Sequence, residues 1–325
     1  MKAWLLPGYD GISSLAIRDV PSPTPGPGQI VLHVQYAALN PADAYLATNQ
    51  YPARPTFPHI LGRDGVGTIA AVGTDVTGVQ LGDTRLILRS EVGVNQPGTL
   101  AEQVAVDANY LTAVPAGWSL EKAAAAPLVY ITAWQALTQW GDLNVPSTIL
   151  VTGASGGVGV AVIQLAHALG HRVVALSRGT HKADTLRNLG ADLVLDANDA
   201  NWHKALKDQS PVDLAVDNIG GENFNRLVNV MAMHGRISVV GRLAGPVPSF
   251  NTASLFFRRL RIGGIAVGTY TNPETRAAWE NILQTLASTC AQPLIDRIFS
   301  FGEVPQAFAR LAEGPMGKIL VRMAN

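Results

Sequence analysis

The residues with the clearest chemical purpose are three glycines. In Ile149-Leu150-Val151-Thr152-Gly153-Ala154-Ser155-Gly156-Gly157-Val158-Gly159, the glycines at 153, 156 and 159 recur at every third position between a strand-like run and a helical one. A strand that turns at once into a helix needs one glycine for the tight turn. A second lets the backbone approach a pyrophosphate, and a third lets helix and strand pack closely. The N–H groups that open the helix, at Ser155, Gly156, Gly157 and Val158, then meet phosphate with the positive end of the helix dipole. A glycine-rich turn without a ligand is the plainer reading of such a triple. Here a preceding strand, a following helix and a second strand stand at the distances a dinucleotide site requires.

The second strand ends where a dinucleotide's adenosine ribose would lie. Sites that prefer NAD place Asp or Glu there, about 20 residues beyond the glycines, to hold both ribose hydroxyls. This chain reads Ala175-Leu176-Ser177-Arg178-Gly179-Thr180-His181-Lys182, with no carboxylate between Gly170 and Ala183. Arg178 and Lys182 supply cationic donors suited to a 2′-phosphate, and Ser177 adds a hydroxyl. The expected cofactor is NADPH. A solvated loop with ordinary surface charge is the competing reading.

The elements that must position these residues follow from periodicity. Short strands at 29–34, 65–72 and 85–88, with a Pro/Gly-rich stretch at 21–28, predict a β-barrel-like domain. Residues 121–140 are Ala-rich and helical, interrupted at Pro127. Beyond them, strands at 148–152, 172–177, 193–195, 214–217 and 236–240 are interleaved with helices such as 158–169 and 182–189. That alternation predicts right-handed βαβ units and a parallel sheet covered on both faces. An apolar run at 263–269, a helix at 273–289, and a last helix and strand (318–323) close the chain, the strand returning to the first domain. The expected class is α/β, with a dinucleotide-binding domain over 122–268 inserted into a catalytic domain made of 1–121 and 269–325.

Composition narrows the partners. Among 325 residues, 24 Lys and Arg balance 24 Asp and Glu, so no basic surplus is present to neutralise a nucleic-acid backbone. No run of about 18 apolar residues predicts a membrane span. The start, Met1-Lys2-Ala3-Trp4, is strand-like and lacks a signal-peptide core. The one cysteine, Cys290, forms no intrachain disulfide, which suits a reducing cytoplasm. At the end of a helix and with no histidine beside it in sequence, Cys290 reads as a buried small hydrophobe.

Several stretches, taken in order, resemble one family. They are Leu39-Asn40-Pro41-Ala42-Asp43-Ala44-Tyr45, Pro58-His59-Ile60-Leu61-Gly62-Arg63-Asp64-Gly65-Val66-Gly67, Gly98-Thr99-Leu100-Ala101-Glu102, the glycine turn, Asp217-Asn218-Ile219-Gly220-Gly221, and Gly317-Lys318-Ile319-Leu320-Val321. Over essentially its whole length the chain resembles the medium-chain dehydrogenase/reductase superfamily, and within it the zinc-independent quinone oxidoreductases, the zeta-crystallin-like branch. The resemblance implies a Rossmann doubly wound parallel sheet inserted into a GroES-like β-barrel catalytic domain.

Zinc-dependent members of that superfamily hold their metal with a Cys, the His of a Gly-His-Glu, and a second Cys. Here Asn40 and Gly62-Arg63-Asp64 stand at the first two places, and no thiolate lies near Leu128. Catalytic zinc takes about three protein ligands and structural zinc usually four, so no metal is expected. His59, beside Pro58, reads as a turn residue. Arg63 is expected to pair with Asp43 or Asp64 and so fill the vacated place.

The same resemblance implies that Asn40, Asp43 and Tyr45 lie near the nicotinamide. Asn40 would position cofactor or acceptor, Tyr45 would donate a hydrogen bond or proton, and Asp43 would join a polar network. Asn-Pro and Asp are also ordinary loop formers, and the trio suits turn chemistry equally. By position, Thr132 reaches the nicotinamide, Asn218, Gly241 and Arg242 border the cofactor, and Val267 and Gly268 line its nicotinamide half. Some relatives carry a tyrosine near the adenine. Here Leu189-Gly190-Ala191 is followed by no aromatic residue through Ala197, which leaves Arg178 to stack on the base.

Without a Lewis acid, the alkoxide of an unactivated alcohol loses several kcal/mol of stabilisation. A quinone or an α,β-unsaturated carbonyl accepts hydride with its charge delocalised, and needs mainly positioning and oxyanion donors. The reading that results is an NADPH:quinone oxidoreductase. An NADPH-dependent alkenal/enone or enoyl reductase is the alternative, and a non-catalytic NADPH-binding structural or sensor protein is the alternative of another class. The acceptor pocket is expected from loops 46–57, 89–99 and 244–250. The 263–269 run is expected at a sheet edge, where it would pair across a two-fold axis in a homodimer. Elemental analysis of the purified protein is expected to give zinc far below one ion per chain; stoichiometric zinc contradicts the metal-free reading.

Overall fold

The computed structural model describes residues 1–88, 91–207, 211–246 and 251–323. The chain forms two compact units. One comprises Met1–Leu128, Asn272–Arg276 and Gln292–Asn325; the other comprises Val129–Thr271 and Ala277–Ala291. Against the boundaries expected from sequence, residues 122–128 fall with the first unit, and 269–271 and 277–291 with the second.

The first unit opens with strands β1 (Lys2–Leu6), β2 (Ala16–Asp19) and β3 (Gln29–Ala38). Helix α1 (Pro41–Ala47) and strands β4 (His59–Ile60), β5 (Asp64–Val72), β6 (Thr84–Ile87), β7 (Gln103–Asp107) and β8 (Leu111–Ala113) follow, and then helix α2 (Leu120–Ala124). Strand β3 is the hub, pairing antiparallel with both β5 and β7. Its Ile30, Leu32 and Val34 alternate into the core as a half-buried strand should. Helix α1 starts where Asn40, in extended conformation, precedes Pro41, since proline at the first helical position loses no needed N–H.

The second unit holds α3 (Pro127–Thr138, its first two residues belonging to the first unit), β9 (Thr148–Thr152), α4 (Gly157–Ala168), β10 (Arg172–Ser177) and α5 (Ala183–Asn188). It continues through β11 (Leu193–Asp196), α6 (Lys204–Lys207), β12 (Val212–Asp217), α7 (Asn223–Val230), β13 (Met231–Val239), α8 (Ala253–Arg258) and β14 (Arg261–Gly264). Its strands lie in the order β11-β10-β9-β12-β13-β14, and every pairing is parallel. This is the doubly wound order, reversing between β9 and β12, and the carboxyl ends at such a reversal form a ligand crevice. Strand β9 is buried along all its length, as a central parallel strand is.

Helix α9 (Asn272–Ala287), strand β15 (Ile295–Ser300), helix α10 (Val304–Ala312) and strand β16 (Lys318–Arg322) complete the fold. Strand β16 pairs with both β15 and β3, which returns the end of the chain to the first unit's seven-stranded sheet. The run expected at 263–269 resolves into β14, the outer strand, and a 3-10 turn at Val267–Thr269. Cys290 corrects one expectation: it is exposed, with φ 53 in the left-handed region, because α9 ends before it and the chain turns away. No helix among the described residues is long and apolar enough to cross a membrane.

Candidate cofactor and acceptor sites

The carboxyl edge of the parallel sheet gathers much of what the sequence singled out. Gly153 follows β9, Ser177 ends β10, Asn218 follows β12, Gly241 follows β13, and Val267 and Gly268 follow β14. These strands are neighbours in the sheet. Thr132 lies buried within α3, Arg242 is exposed just past Gly241, and Val267 is buried.

The glycine turn has the close approach its spacing predicts. Gly153 adopts φ 59 and accepts a hydrogen bond from Gly156 N–H at 3.0 Å. A Cβ on Gly159 would stand 2.4 Å from the Gly153 carbonyl oxygen, so only glycine lets α4 start against the turn. A Cβ on Gly156 would meet nothing nearer than that same oxygen at 3.4 Å, which leaves open the face that a phosphate would approach. Helix α4 runs 12 residues from Gly157, and its first N–H groups lack intrahelical partners.

Beside the turn, the Lys182 ammonium donates to the Ser155 hydroxyl at 3.1 Å. Ser177 is buried and its Oγ has no partner. Arg178 is exposed. The loop carrying these residues is pinned by Asp196, a residue that sequence reasoning missed. Its Oδ1 accepts from the N–H groups of Gly179 at 3.0 Å and Asn198 at 2.9 Å, and these bonds hold the carboxyl below its usual range. Asp196 reaches Gly179 because it stands opposite Ser177 in the β10–β11 register.

A second missed group ties β9 to β12. The Thr152 hydroxyl donates to Asp217 Oδ1 at 2.6 Å and accepts from Asn218 N–H at 3.0 Å. Asp217 also receives the N–H groups of Ile219 and Gly220, and Asn218 Nδ2 donates to the Thr152 carbonyl at 2.8 Å. The Asn218 Oδ1 is left buried and without a partner. Buried polar atoms are ordinarily bonded. Two orphaned oxygens, on Ser177 and Asn218, beside a backbone bare of Cβ atoms, fit a dinucleotide whose hydroxyls and amide would complete them.

In the first unit a buried charge cluster surrounds Asn40. Lys318 Nζ donates to Asn40 Oδ1 at 2.6 Å, to the Leu39 carbonyl at 2.9 Å and to Asp64 Oδ2 at 3.3 Å. Asn40 Nδ2 donates to Asp64 Oδ2 at 2.9 Å, and Asn40 N–H donates to Asp43 Oδ2 at 2.8 Å. Leu128 N–H donates to Asp64 Oδ1 at 3.2 Å. Both ends of the Asn40 amide are thus engaged inside the protein. Burial pushes the Asp43 carboxyl up to about 6, opposed by the Asn40 N–H and by the charges of Arg63 and Lys318. Burial also lowers the Lys318 ammonium, against the attraction of Asp64 and Asp43.

The ion pair expected from Arg63 is therefore made by Lys318 instead. Strand β16 delivers Lys318 beneath the start of α1, and the guanidinium of Arg63 turns to Tyr51, donating to its hydroxyl at 2.9 Å. Tyr45 is half-buried on α1. Of the expected acceptor loops, Arg89, Ser90 and residues 247–250 lie outside the described residues. His59 is buried in β4 and its Nε2 has no partner. No group of three or more His, Cys, Asp or Glu among the described residues is arranged to hold a metal.

Comparison with known proteins follows the same two halves. Residues 26–116 match the family described as "Alcohol dehydrogenase GroES-like domain", and residues 157–288 match "Zinc-binding dehydrogenase". The chain is 27% identical over 318 residues to quinone oxidoreductase-like protein 2 of Mus musculus, covering 95% of this chain and 89% of that one. It is 26% identical over 345 residues to acryloyl-coenzyme A reductase of Sulfurisphaera tokodaii, covering 99% of this chain and 100% of that one. A crystal structure of an NAD-dependent alcohol dehydrogenase superposes with a TM-score of 0.89 at 28% identity, over 100% of both chains.

The side chains of Lys318 and Asp64 are each 4% exposed. Removing one partner of such a pair strands the other charge. Lys318→Met is expected to cost about 3–5 kcal/mol, read as a lower urea midpoint, and adding Asp64→Asn to recover part of it. A single variant as stable as the parent contradicts a working ion pair.

Proposed function

Because the chain belongs to the medium-chain dehydrogenase/reductase superfamily and is an oxidoreductase, we propose that it is an NADPH-dependent reductase that passes hydride to a quinone without a metal ion. The observation that carries the cofactor is the Lys182 ammonium bonded to Ser155 at the mouth of the glycine turn. With Arg178 exposed beside it and the Ser177 hydroxyl unpartnered, the ribose end of the site presents cations and a hydroxyl. Asp196, opposite Ser177 in the sheet, is occupied by backbone N–H groups and holds the loop.

Bound NADPH would supply a hydride from its nicotinamide C4. The chain's own residues would do the rest. The N–H groups of Ser155 to Val158 receive the pyrophosphate, with Gly153 and Gly159 keeping side chains away. Thr132, Asn218, Gly241, Arg242, Val267 and Gly268 border the cofactor in this reading. Asn40 and Asp43 hold the start of α1 through the Lys318 cluster, and Tyr45 on that helix donates the proton. The metal-free assignment rests on residue types: Asn40 and Arg63 are not ligands that hold catalytic zinc. The second reading, reduction of conjugated enones or enoyl thioesters, shares this chemistry and is favoured by the similarity to acryloyl-coenzyme A reductase.

We place a second copy of the chain against β14, in a cytoplasmic homodimer. That outer strand carries exposed Ile262, and helix α8 before it carries exposed Phe256 and Phe257. An uncovered edge with apolar neighbours favours strand pairing. Light scattering is expected to give twice the 34.3 kDa chain mass, and a monomer contradicts the pairing.

The activity is tested by following NADPH oxidation with 1,4-benzoquinone, 9,10-phenanthrenequinone, an alkenal and a simple ketone. Quinones are expected to turn over fastest and the ketone least, with kcat reduced in Tyr45→Phe. Arg178→Ala with Lys182→Ala should raise KM for NADPH by about tenfold to a hundredfold, as lost charge-assisted bonds do, and leave NADH little changed. Equal losses for both cofactors contradict the NADPH assignment. Tight NADPH binding with no turnover of any acceptor favours a binding protein.

A further inference from the structure

Arg63 differs from several arginines that sit near acids. Arg85, Arg187 and Arg310 each bond a carboxylate. Arg63 has two aspartates close by in the fold and pairs with neither. Asp64 is taken by Lys318, Asn40 and the Leu128 N–H. Asp43 Oδ2 is taken by the Asn40 N–H, and its Oδ1 is sealed in without any partner. Among the described residues, the one hydrogen bond of the Arg63 guanidinium is from Nη1 to the Tyr51 hydroxyl, and its carbon lies 5.5 Å from the Tyr51 ring centroid.

The backbone that carries this cation is held tightly. Gly62 has φ 101 and accepts from Thr99 N–H at 3.0 Å, while Leu61 accepts from Leu100 N–H at 3.0 Å. A Cβ on Gly62 would stand 2.5 Å from the Thr99 hydroxyl. Arg63 is half-buried, and none of its nitrogens is sealed away from solvent without a partner. A guanidinium on a tightly held backbone, bonded to the Tyr51 hydroxyl, with N–H groups left over and no counter-ion in contact among the described residues, is a ready receptor for a negatively charged oxygen.

We propose that Arg63 is a catalytic residue of the acceptor site, its free guanidinium N–H groups receiving the acceptor's carbonyl oxygen as that oxygen becomes negative. The proposal rests on the reduction reading above. The acceptor gains hydride at a conjugated position, its π electrons move to the carbonyl oxygen beside Arg63, and that oxygen then takes a proton from Tyr45, which solvent restores. One acceptor, one NADPH and one proton become the dihydro acceptor and NADP⁺.

The experiment compares the parent with Arg63→Ala and Arg63→Lys. Loss of an oxyanion donor is expected to lower kcat/KM for 1,4-benzoquinone by about a hundredfold to a thousandfold in Arg63→Ala, with the NADPH Kd by fluorescence titration within twofold. Arg63→Lys should recover only part, and added guanidinium chloride at tens of millimolar should restore turnover to Arg63→Ala, a rescue that a folding role would not give. As a readout without turnover, 4-nitrophenolate is titrated by its visible absorption band; Arg63→Ala should weaken its binding at least tenfold. Unchanged 4-nitrophenolate binding, or kcat/KM within twofold of the parent, overturns the proposal. A parent that binds 4-nitrophenolate through Arg63 but reduces no acceptor overturns the reduction reading and leaves an oxyanion site.

Discussion

Helix α4 begins against the turn that feeds it because no Cβ stands at position 159. With the Gly153 oxygen 2.4 Å from where that atom would be, any larger residue pushes the helix start away from the strand. The arrangement of the sheet's carboxyl edge follows from this contact. It fixes the direction of the first helical N–H groups, brings Ser155 within reach of Lys182, and sets the end of β9 beside the Thr152–Asp217–Asn218 bonds. Those bonds in turn fix the loop after β12 at the place where the strand order reverses. A sheet edge that meets phosphate in this way would work through backbone groups, so its precision would depend on packing more than on any one charged side chain.

The first unit solves a different problem, the storage of charge in a dry place. Lys318 and Asp64 are buried together, and the pair is tolerable because each has other bonds: Asn40 and Leu39 accept from the ammonium, and Asn40 and Leu128 donate to the carboxylate. Such a pair contributes little net stability relative to apolar packing, yet it costs much if half is removed. Its value here is geometric. It joins the final strand, the entry to α1 and the start of β5.

The pattern of legibility follows sequence distance. The glycine turn, the β10 end and the alternating strands were readable because helix starts, turns and strand periods are local properties. Asn-Pro suits a turn locally, whereas the structure makes Asn40-Pro41 the entry to α1. Lys318 was not, since its partner Asp64 lies 254 positions away and nothing local distinguishes a buried lysine from one on the surface. One clue was present: Lys318 leads directly into Ile319-Leu320-Val321, a run of core residues, and a lysine at the head of such a strand needs acceptors. Asp196 was hidden because its role depends on the register between β10 and β11. Arg63 and Cys290 failed for opposite reasons, one through a choice among neighbours that only side-chain geometry makes, the other through a helix that stops three residues short.

In the NADPH reading, cations and not a carboxylate meet the adenosine ribose. Calorimetric titration with adenosine 2′,5′-bisphosphate and with adenosine 5′-monophosphate, which differ only in the 2′-phosphate, isolates that end of the site from the nicotinamide and from any acceptor. The 2′-phosphorylated nucleotide is expected to bind at least tenfold more tightly, with a preference that shrinks as salt is raised. Equal affinities, or tighter binding of adenosine 5′-monophosphate, would contradict it.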